Sequence, residues 1–235
     1  MRRKVRQQPK DDAPEPEFSP GRITGLNTQT RNSSRVSVFI EGEFSFGCYK
    51  AVFLESGLGI GKELDLDGYD LLMKQESRFS LREYWLSLLA RRAHTSVELI
   101  RKARKKEFTE MHFDSLLDEF RDKGYLDERA YARAYIREVS SLKKWGAAKV
   151  RAELKKRGVP EPVLAELIPE MLPDNDIAAL EALVLKNSRR FRRESDILKR
   201  KKKVADHLLR KGHAAEQVFR NLNRLLELID SQPDG

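Results

Sequence analysis

The sequence predicts a mainly α-helical protein: tandem three-helix repeats forming an elongated, curved array, preceded by a small α+β module built on a β-hairpin. Three observations predict it. From about residue 80 to 230, apolar residues recur three and four apart with Arg, Lys and Glu between them, the period of amphipathic helices. Within that region one basic helical segment and its following turn occur three times. Ahead of it, residues 23–66 carry short alternating runs punctuated by Gly, the pattern of strands and turns.

Residues 1–20 hold Pro9, Pro14, Pro16 and Pro20 among charged side chains, with almost nothing apolar before Phe18. Such a segment buries too little surface to offset its ordering entropy, so a disordered basic tail is expected, and residues 231–235 read the same way. Val36-Ser37-Val38-Phe39-Ile40, the turn Glu41-Gly42 and Glu43-Phe44-Ser45-Phe46 form a hairpin signature. Residues 23–30 offer a third strand, residues 49–55 one or two helical turns stopped by Gly57, and residues 62–66 a returning strand. A lone hairpin is marginal in water, so the third strand or the short helix must cover its apolar face.

The helical region is divided by Gly124, Trp145-Gly146, Gly158-Val159-Pro160, Pro169, Pro173 and Gly212. Residues 99–108, 150–159 and 204–213 superimpose. Leu99, Val150 and Val204 correspond, as do Ala103, Leu154 and Leu208. In the helices that follow, Phe113, Leu164 and Val218 align, then Leu117, Ile168 and Leu222, then Phe120, Met171 and Leu225. Gly158 and Gly212 suit the left-handed position after a helix, where a side chain is costly; Glu107 occupies that place in the first copy, so its turn must differ or accept strain. Helices over 81–92, 129–140 and about 177–191 complete the three units, giving repeats at 76–126, 127–173 and 174–230 behind a module at 21–75. Stacked units of this kind bury a continuous strip of core.

Composition bounds the function. Of 235 residues, 46 are Lys or Arg and 37 Asp or Glu, a net charge of +9 that favours polyanions or acidic protein surfaces as partners. No apolar run reaches the roughly 18 residues of a membrane span. Met1-Arg2-Arg3-Lys4-Val5-Arg6 is charged but no apolar stretch follows, so it does not read as a secretory signal. The single Cys48 has no disulfide partner in the chain and fits a reducing compartment.

The basic residues recur at one place in each repeat. Arg101, Lys102, Arg104, Lys105 and Lys106 form one cluster; Lys143, Lys144, Lys149, Arg151, Lys155, Lys156 and Arg157 form a second. Arg200, Lys201, Lys202, Lys203, Arg210 and Lys211 belong to a third, preceded by Arg189, Arg190, Arg192, Arg193 and Lys199. Taken singly, most such charges solvate a surface. In a stacked array, equivalent positions line up as a positive stripe suited to a phosphate backbone or a helical filament. Contact with phosphates independent of base sequence is the simplest chemistry for it, since no zinc finger, aromatic RNA-binding motif or clear recognition helix is present.

No catalytic set appears. His94, His112, His207 and His213 are scattered, without Cys or carboxylate at metal spacing. Residues 57–63 suggest a phosphate loop, but Ser56 just before them and Glu63 stand where that motif needs Gly and a hydroxyl. Trp85 has core spacing with Leu81, Leu88 and Leu89, whereas Trp145 fits either packing at a helix start or the basic stripe. No cofactor, metal or enzymatic activity is therefore expected.

The segment Gly124-Tyr125-Leu126-Asp127-Glu128-Arg129-Ala130-Tyr131-Ala132 resembles the Gly-Tyr-Leu-Asp-Asp-x-Arg-Phe-Ala signature of the RecX regulatory proteins, modulators of the bacterial RecA recombinase. Residues 88–99 and 151–159 resemble that family's first and second repeats, and Arg31-Asn32-Ser33-Ser34-Arg35-Val36-Ser37-Val38 the amino-terminal extension of some members. Glu107 for Gly and Tyr131 for Phe are the departures. Locally, Gly124 stops a helix, Asp127 caps the next, and Tyr125, Leu126 and Tyr131 suit the core between units. The resemblance implies a nonenzymatic cytoplasmic regulator of DNA repair, recombination and the SOS response. Its partners would be the RecA filament and single- or double-stranded DNA. With no coiled-coil seam, a monomer is expected. Two other readings stand beside it: a general DNA-binding or architectural protein indifferent to RecA, and a helical scaffold for acidic proteins.

Overall fold

The computed structural model of the chain describes residues 17–173 and 177–231. The tails expected at 1–20 and 231–235 lie outside these residues, apart from 17–20 and 231. The described residues form two compact units that divide between Leu86 and Ser87. The protein is mainly helical with a small strand module near its amino terminus, as the sequence predicts.

In the first unit an antiparallel sheet has the order β3-β2-β1-β4, with β1 at Gly21–Gln29, β2 at Asn32–Ile40, β3 at Glu43–Tyr49 and β4 at Glu63–Leu64. The β2–β3 turn places Glu41 at φ 48° and Gly42 at φ 90°. Positive φ at both central residues is the turn whose twist matches the flanking strands. Val36, Val38, Ile40, Phe46 and Cys48 alternate onto one face and are buried with Ile23, Val52 and Phe53. Helix α1 (Lys50–Glu55) supplies the last two. Cys48 is fully buried, and desolvation pushes its thiol up to about 12, so it behaves as a small hydrophobe.

Helix α2 (Leu66–Leu89) begins well before residue 80, where the helical period becomes visible. Asp65 caps it, its carboxylate accepting from the Gly68 N–H at 2.8 Å. Tyr69, Leu72, Met73 and Phe79 face the sheet's core, but the next position of that stripe is Glu76. Glu76 is buried and accepts from Arg35 Nη1 and from the Tyr49 N–H, both at 2.8 Å. A charge on the buried face breaks the apolar pattern, which is why the sequence hides this half of the helix.

The second unit holds α3 (Ser96–Arg104), α4 (Phe113–Asp122), α5 (Glu128–Lys143), α6 (Ala147–Lys156), α7 (Glu161–Met171), α8 (Ile177–Lys186), α9 (Ser188–Arg192), α10 (Ile197–Arg210) and α11 (Ala215–Asp230). Each later trio has its own core. Tyr131, Ile136, Val150, Leu154, Leu164 and Ile168 form one; Leu180, Phe191, Val204, Leu208, Val218 and Leu225 form the other. The matched positions Leu99, Val150 and Val204, and Ala103, Leu154 and Leu208, are all fully buried. Two punctuation marks differ from expectation. Pro169 lies inside α7, where the last turn absorbs its missing donor. The helix expected over 177–191 is broken at Asn187, whose side-chain amide donates to the Leu183 carbonyl at 2.8 Å.

Helices α3, α6 and α10 end in the same motif. The N–H groups of Phe108, Val159 and His213 donate to the carbonyls of Ala103, Leu154 and Leu208. Those of Glu107, Gly158 and Gly212 donate to Arg104, Lys155 and Leu209, at φ values of +60°, +84° and +87°. The first copy therefore makes the same turn and accepts the strain at an exposed Glu107. Glu107→Gly is expected to raise stability by about 0.5–1 kcal/mol, the left-handed penalty less the added freedom of the unfolded chain, read by denaturant unfolding.

Candidate nucleic-acid interface

The three basic helices meet end to end. Thr95 caps α3 by accepting from the Glu98 N–H at 3.2 Å, and its hydroxyl donates to the Arg157 carbonyl at the end of α6. At the next junction the N–H groups of Gly146 and Ala148 donate to the Lys211 and Gly212 carbonyls, at 2.9 and 3.2 Å. His213 Nε2 lies 2.9 Å from the Lys144 carbonyl, which can only accept, so that nitrogen carries the proton. Lys144 itself has φ +51°, turning its carbonyl out of α5. The free carbonyls of α10 thus cap the free amides of α6, and those of α6 are capped at the start of α3. Dipole ends of opposite sign meet at both places.

This arrangement gives the last turns of α3, α6 and α10 equivalent places. Lys105, Lys156 and Arg210 correspond and are exposed. Lys106, Arg157 and Lys211 correspond as well, and Arg104 and Lys155 match Leu209. The remaining candidates are less uniform. Arg101 and Lys202 are exposed, while Lys102, Lys144, Lys149, Arg151, Lys201 and Lys203 are half-buried. Residues 199–203 are consecutive, so steps of about 100° carry them around α10 and they share no face. Several cations already have partners. Arg104 makes a bidentate pair with Glu110 at 2.7 and 2.8 Å, Arg151 pairs with Glu161, and Arg200 reaches Asp230 at 2.8 Å.

Arg157 is the most engaged of them. Its Nη1 donates to Glu98 at 3.3 Å and to Tyr131 Oη at 3.0 Å, and its guanidinium lies 4.8 Å from the centre of the Tyr135 ring. Glu98 also receives Arg92 and His94, each at 3.0 Å, and these partners hold its carboxyl below the usual range against the opposing effect of burial. The junction of the first and second repeats is therefore internally neutralised. The residue that aligns with Glu98 at the next junction is Lys149. There the Lys143 and Lys149 ammoniums sit 4.6 and 4.5 Å from the centre of the Trp145 ring. Burial, followed by Lys149, Lys186 and Lys143, holds the Lys211 ammonium below its ordinary value. Trp145, half-buried, combines the two roles that its sequence position suggests.

The signature segment walls a groove of about 600 Å³ whose lining includes Arg92, Tyr125, Tyr131, Tyr135, Lys143 and Arg157. Asp127 caps α5, accepting from the Ala130 N–H at 2.8 Å, and Leu126 and Tyr131 are buried as expected. Tyr125 is not core: it is 48% exposed, its ring edge against Phe120 at 5.6 Å. A left-handed Gly124 ends α4 just before it and turns the chain outward.

Two histidines set a pH response. Burial, then Arg92, lowers the affinity of His94 for a proton despite Glu98. Burial and then Lys211 do the same for His207. Both take up a proton less readily in the fold than in the unfolded chain, whose imidazoles titrate near pH 6.5. The unfolded state then binds more protons, so stability falls as pH drops through about 6.5 and is flat above it. Glu98 titrates below its ordinary range and adds its loss only at lower pH. Thermal melts are expected to show a lower Tm at pH 5.5 than at 7.5, with a smaller difference in His207→Gln.

Residues 21–65 match the family described as the regulatory protein RecX N-terminal domain, and residues 127–168 match the RecX second three-helix domain. The first spans the strand module and the second α5, α6 and most of α7. Both matches are to domains of the RecX family. It is 29% identical over 199 residues to the regulatory protein RecX of Clostridium acetobutylicum, covering 83% of this chain and 92% of that one. It is 26% identical over 213 residues to the RecX of Bacillus cytotoxicus, covering 88% and 78%. A crystal structure of regulatory protein RecX superimposes with a TM-score of 0.69 at 21% identity, covering 90% of this chain and 99% of that one. The RecX of Lactobacillus salivarius superimposes at 0.57 with 19% identity, over 65% and 97%. Among the described residues no helix is long and apolar enough to cross a membrane.

Proposed function

We propose that this chain is a nonenzymatic, cytoplasmic regulator of RecA that binds the RecA–DNA filament as a monomer and restrains its ATPase, strand exchange and growth during DNA repair and recombination. The observation that carries the reading is the recurrence of cationic last turns at Lys105-Lys106, Lys156-Arg157 and Arg210-Lys211 on helices joined end to end. A periodic row of charge suits a periodic polyanion more than a compact ligand. The basic helices would meet DNA phosphate and acidic recombinase surface together, and bridging neighbouring subunits would block strand entry or the motions coupled to ATP hydrolysis.

The purified protein is expected to lower RecA's DNA-dependent ATPase and strand exchange. A variant combining Lys105→Gln, Lys156→Gln and Arg210→Gln should inhibit less at equal concentration. Unchanged RecA activity at saturating protein would overturn the reading. Equal affinity for bare DNA and for the assembled filament at physiological salt would instead identify a general DNA-binding protein.

A further inference from the structure

We infer that the junction between the second and third repeats is a phosphate-binding site, in which Lys143 and Lys149 over Trp145, with Lys211 and its neighbour Lys186, grip the backbone of a nucleic acid. This deepens the proposed function by singling out one part of the cationic surface, and it rests on that surface being polyanion-binding.

The two junctions of the second unit serve as controls for one another. Both are built by the same backbone contacts between a helix end and the next helix start. At the first, the basic residue Arg157 has an acid and two tyrosines around it. At the second, Lys211 occupies the equivalent place, Lys149 replaces the acid, and Lys143 and Lys186 complete the surroundings. Among the described residues none of these four lysines forms an ion pair, whereas Arg104, Arg151, Arg157 and Arg200 all do. Hydrogen bonds from Gly146 to Lys211 and from His213 to Lys144 hold the helix ends that carry Lys143, Lys149 and Lys211 against one another. A fold that holds four ammoniums together without a counterion carries a repulsion that an anion removes. Lys186 continues the charge into an adjoining groove of about 470 Å³ at the α8–α9 break, lined by Arg189, Arg190 and Arg193. A lined path longer than one phosphate suits a phosphodiester chain, and compact lysine charges on flexible stems suit phosphates met at several angles. On binding, Lys143 and Lys149 would turn from the indole towards phosphate oxygens, changing the environment of Trp145.

The test uses the whole protein without RecA and a fluorescein-labelled oligothymidylate as the probe. Lys149→Gln and Lys186→Gln are each expected to weaken binding about tenfold at low salt and to reduce the salt slope by about 1. Lys105→Gln and Lys156→Gln remove the same charge from the flanking last turns and should weaken binding less, by about threefold, with a smaller change of slope. Thermal melting separates binding from folding: relieving the repulsion should leave the Tm of Lys186→Gln equal to or above wild type. Binding should also change tryptophan fluorescence in the wild type and not in Trp145→Phe, which retains only the buried Trp85. Equal losses in both pairs of variants, or no change at Trp145, would overturn the site while leaving the RecA assay to decide the function by itself. Failure of RecA inhibition with the site intact would do the reverse.

Discussion

Gly212→Ala is expected to destabilise the second unit by about 3 kcal/mol or more and to loosen the third repeat from the second. Two costs add there. Gly212 has φ +87°, where an L side chain is strained, and a β-carbon on it would overlap the backbone nitrogen and Cβ of Lys149 at the start of α6. Neither neighbour is the movable tip of a side chain. Gly146→Ala isolates the second cost. Its φ of −80° suits any residue, yet a β-carbon would overlap the Gly212 carbonyl. Gly124→Ala isolates the first, since φ is +69° and nothing lies within 4 Å of the added carbon. Denaturant unfolding should rank Gly212→Ala as the most damaging of the three and Gly124→Ala the least, at about 1 kcal/mol. If Gly212→Ala and Gly124→Ala cost the same, the tight docking of α10 against α6 is not what couples the repeats.

Affinity for DNA should fall steeply with salt. Six to ten phosphate contacts correspond to a loss of about 10³–10⁵ between 50 and 200 mM salt. The last turns of α3, α6 and α10 together with the lysine-rich junction offer that many cations. Residues should separate by their partners. Lys156→Gln should shallow the slope, because its ammonium is exposed and in no ion pair among the described residues. Arg157→Gln should leave the slope close to wild type and lower stability, because its guanidinium is spent on Glu98 and Tyr131 and its loss removes one of three partners of a buried carboxylate. A flat response of binding to salt would remove phosphate contact as the basis of recognition.

Much of the fold is legible in the chain because its causes are local. The hairpin follows from alternation around Glu41-Gly42, and the repeats from matched apolar positions such as Leu99, Val150 and Val204, which prove buried in all three copies. The first half of α2 is not legible, since Glu76 stands where the apolar period needs a hydrophobe and the fold brings Arg35 and the Tyr49 amide to it from two strands of the sheet. Tyr125 looks like core by type and spacing, but the turn at Gly124 aims it at a groove. Lys186 carries no motif at all and enters the lysine cluster only through folding.

By itself the sequence determined the helical period, the hairpin, the three-fold recurrence of basic last turns and the strongly positive balance, since each depends on neighbours a few residues apart. Tertiary structure alone decided which of those charges stay available. Arg157 and Glu98 are 59 positions apart, and Lys144 and His213 are 69 apart. Whether a cation meets a carboxylate, a ring or three other cations depends on the few ångströms across a junction, where Coulomb energy changes fastest with distance.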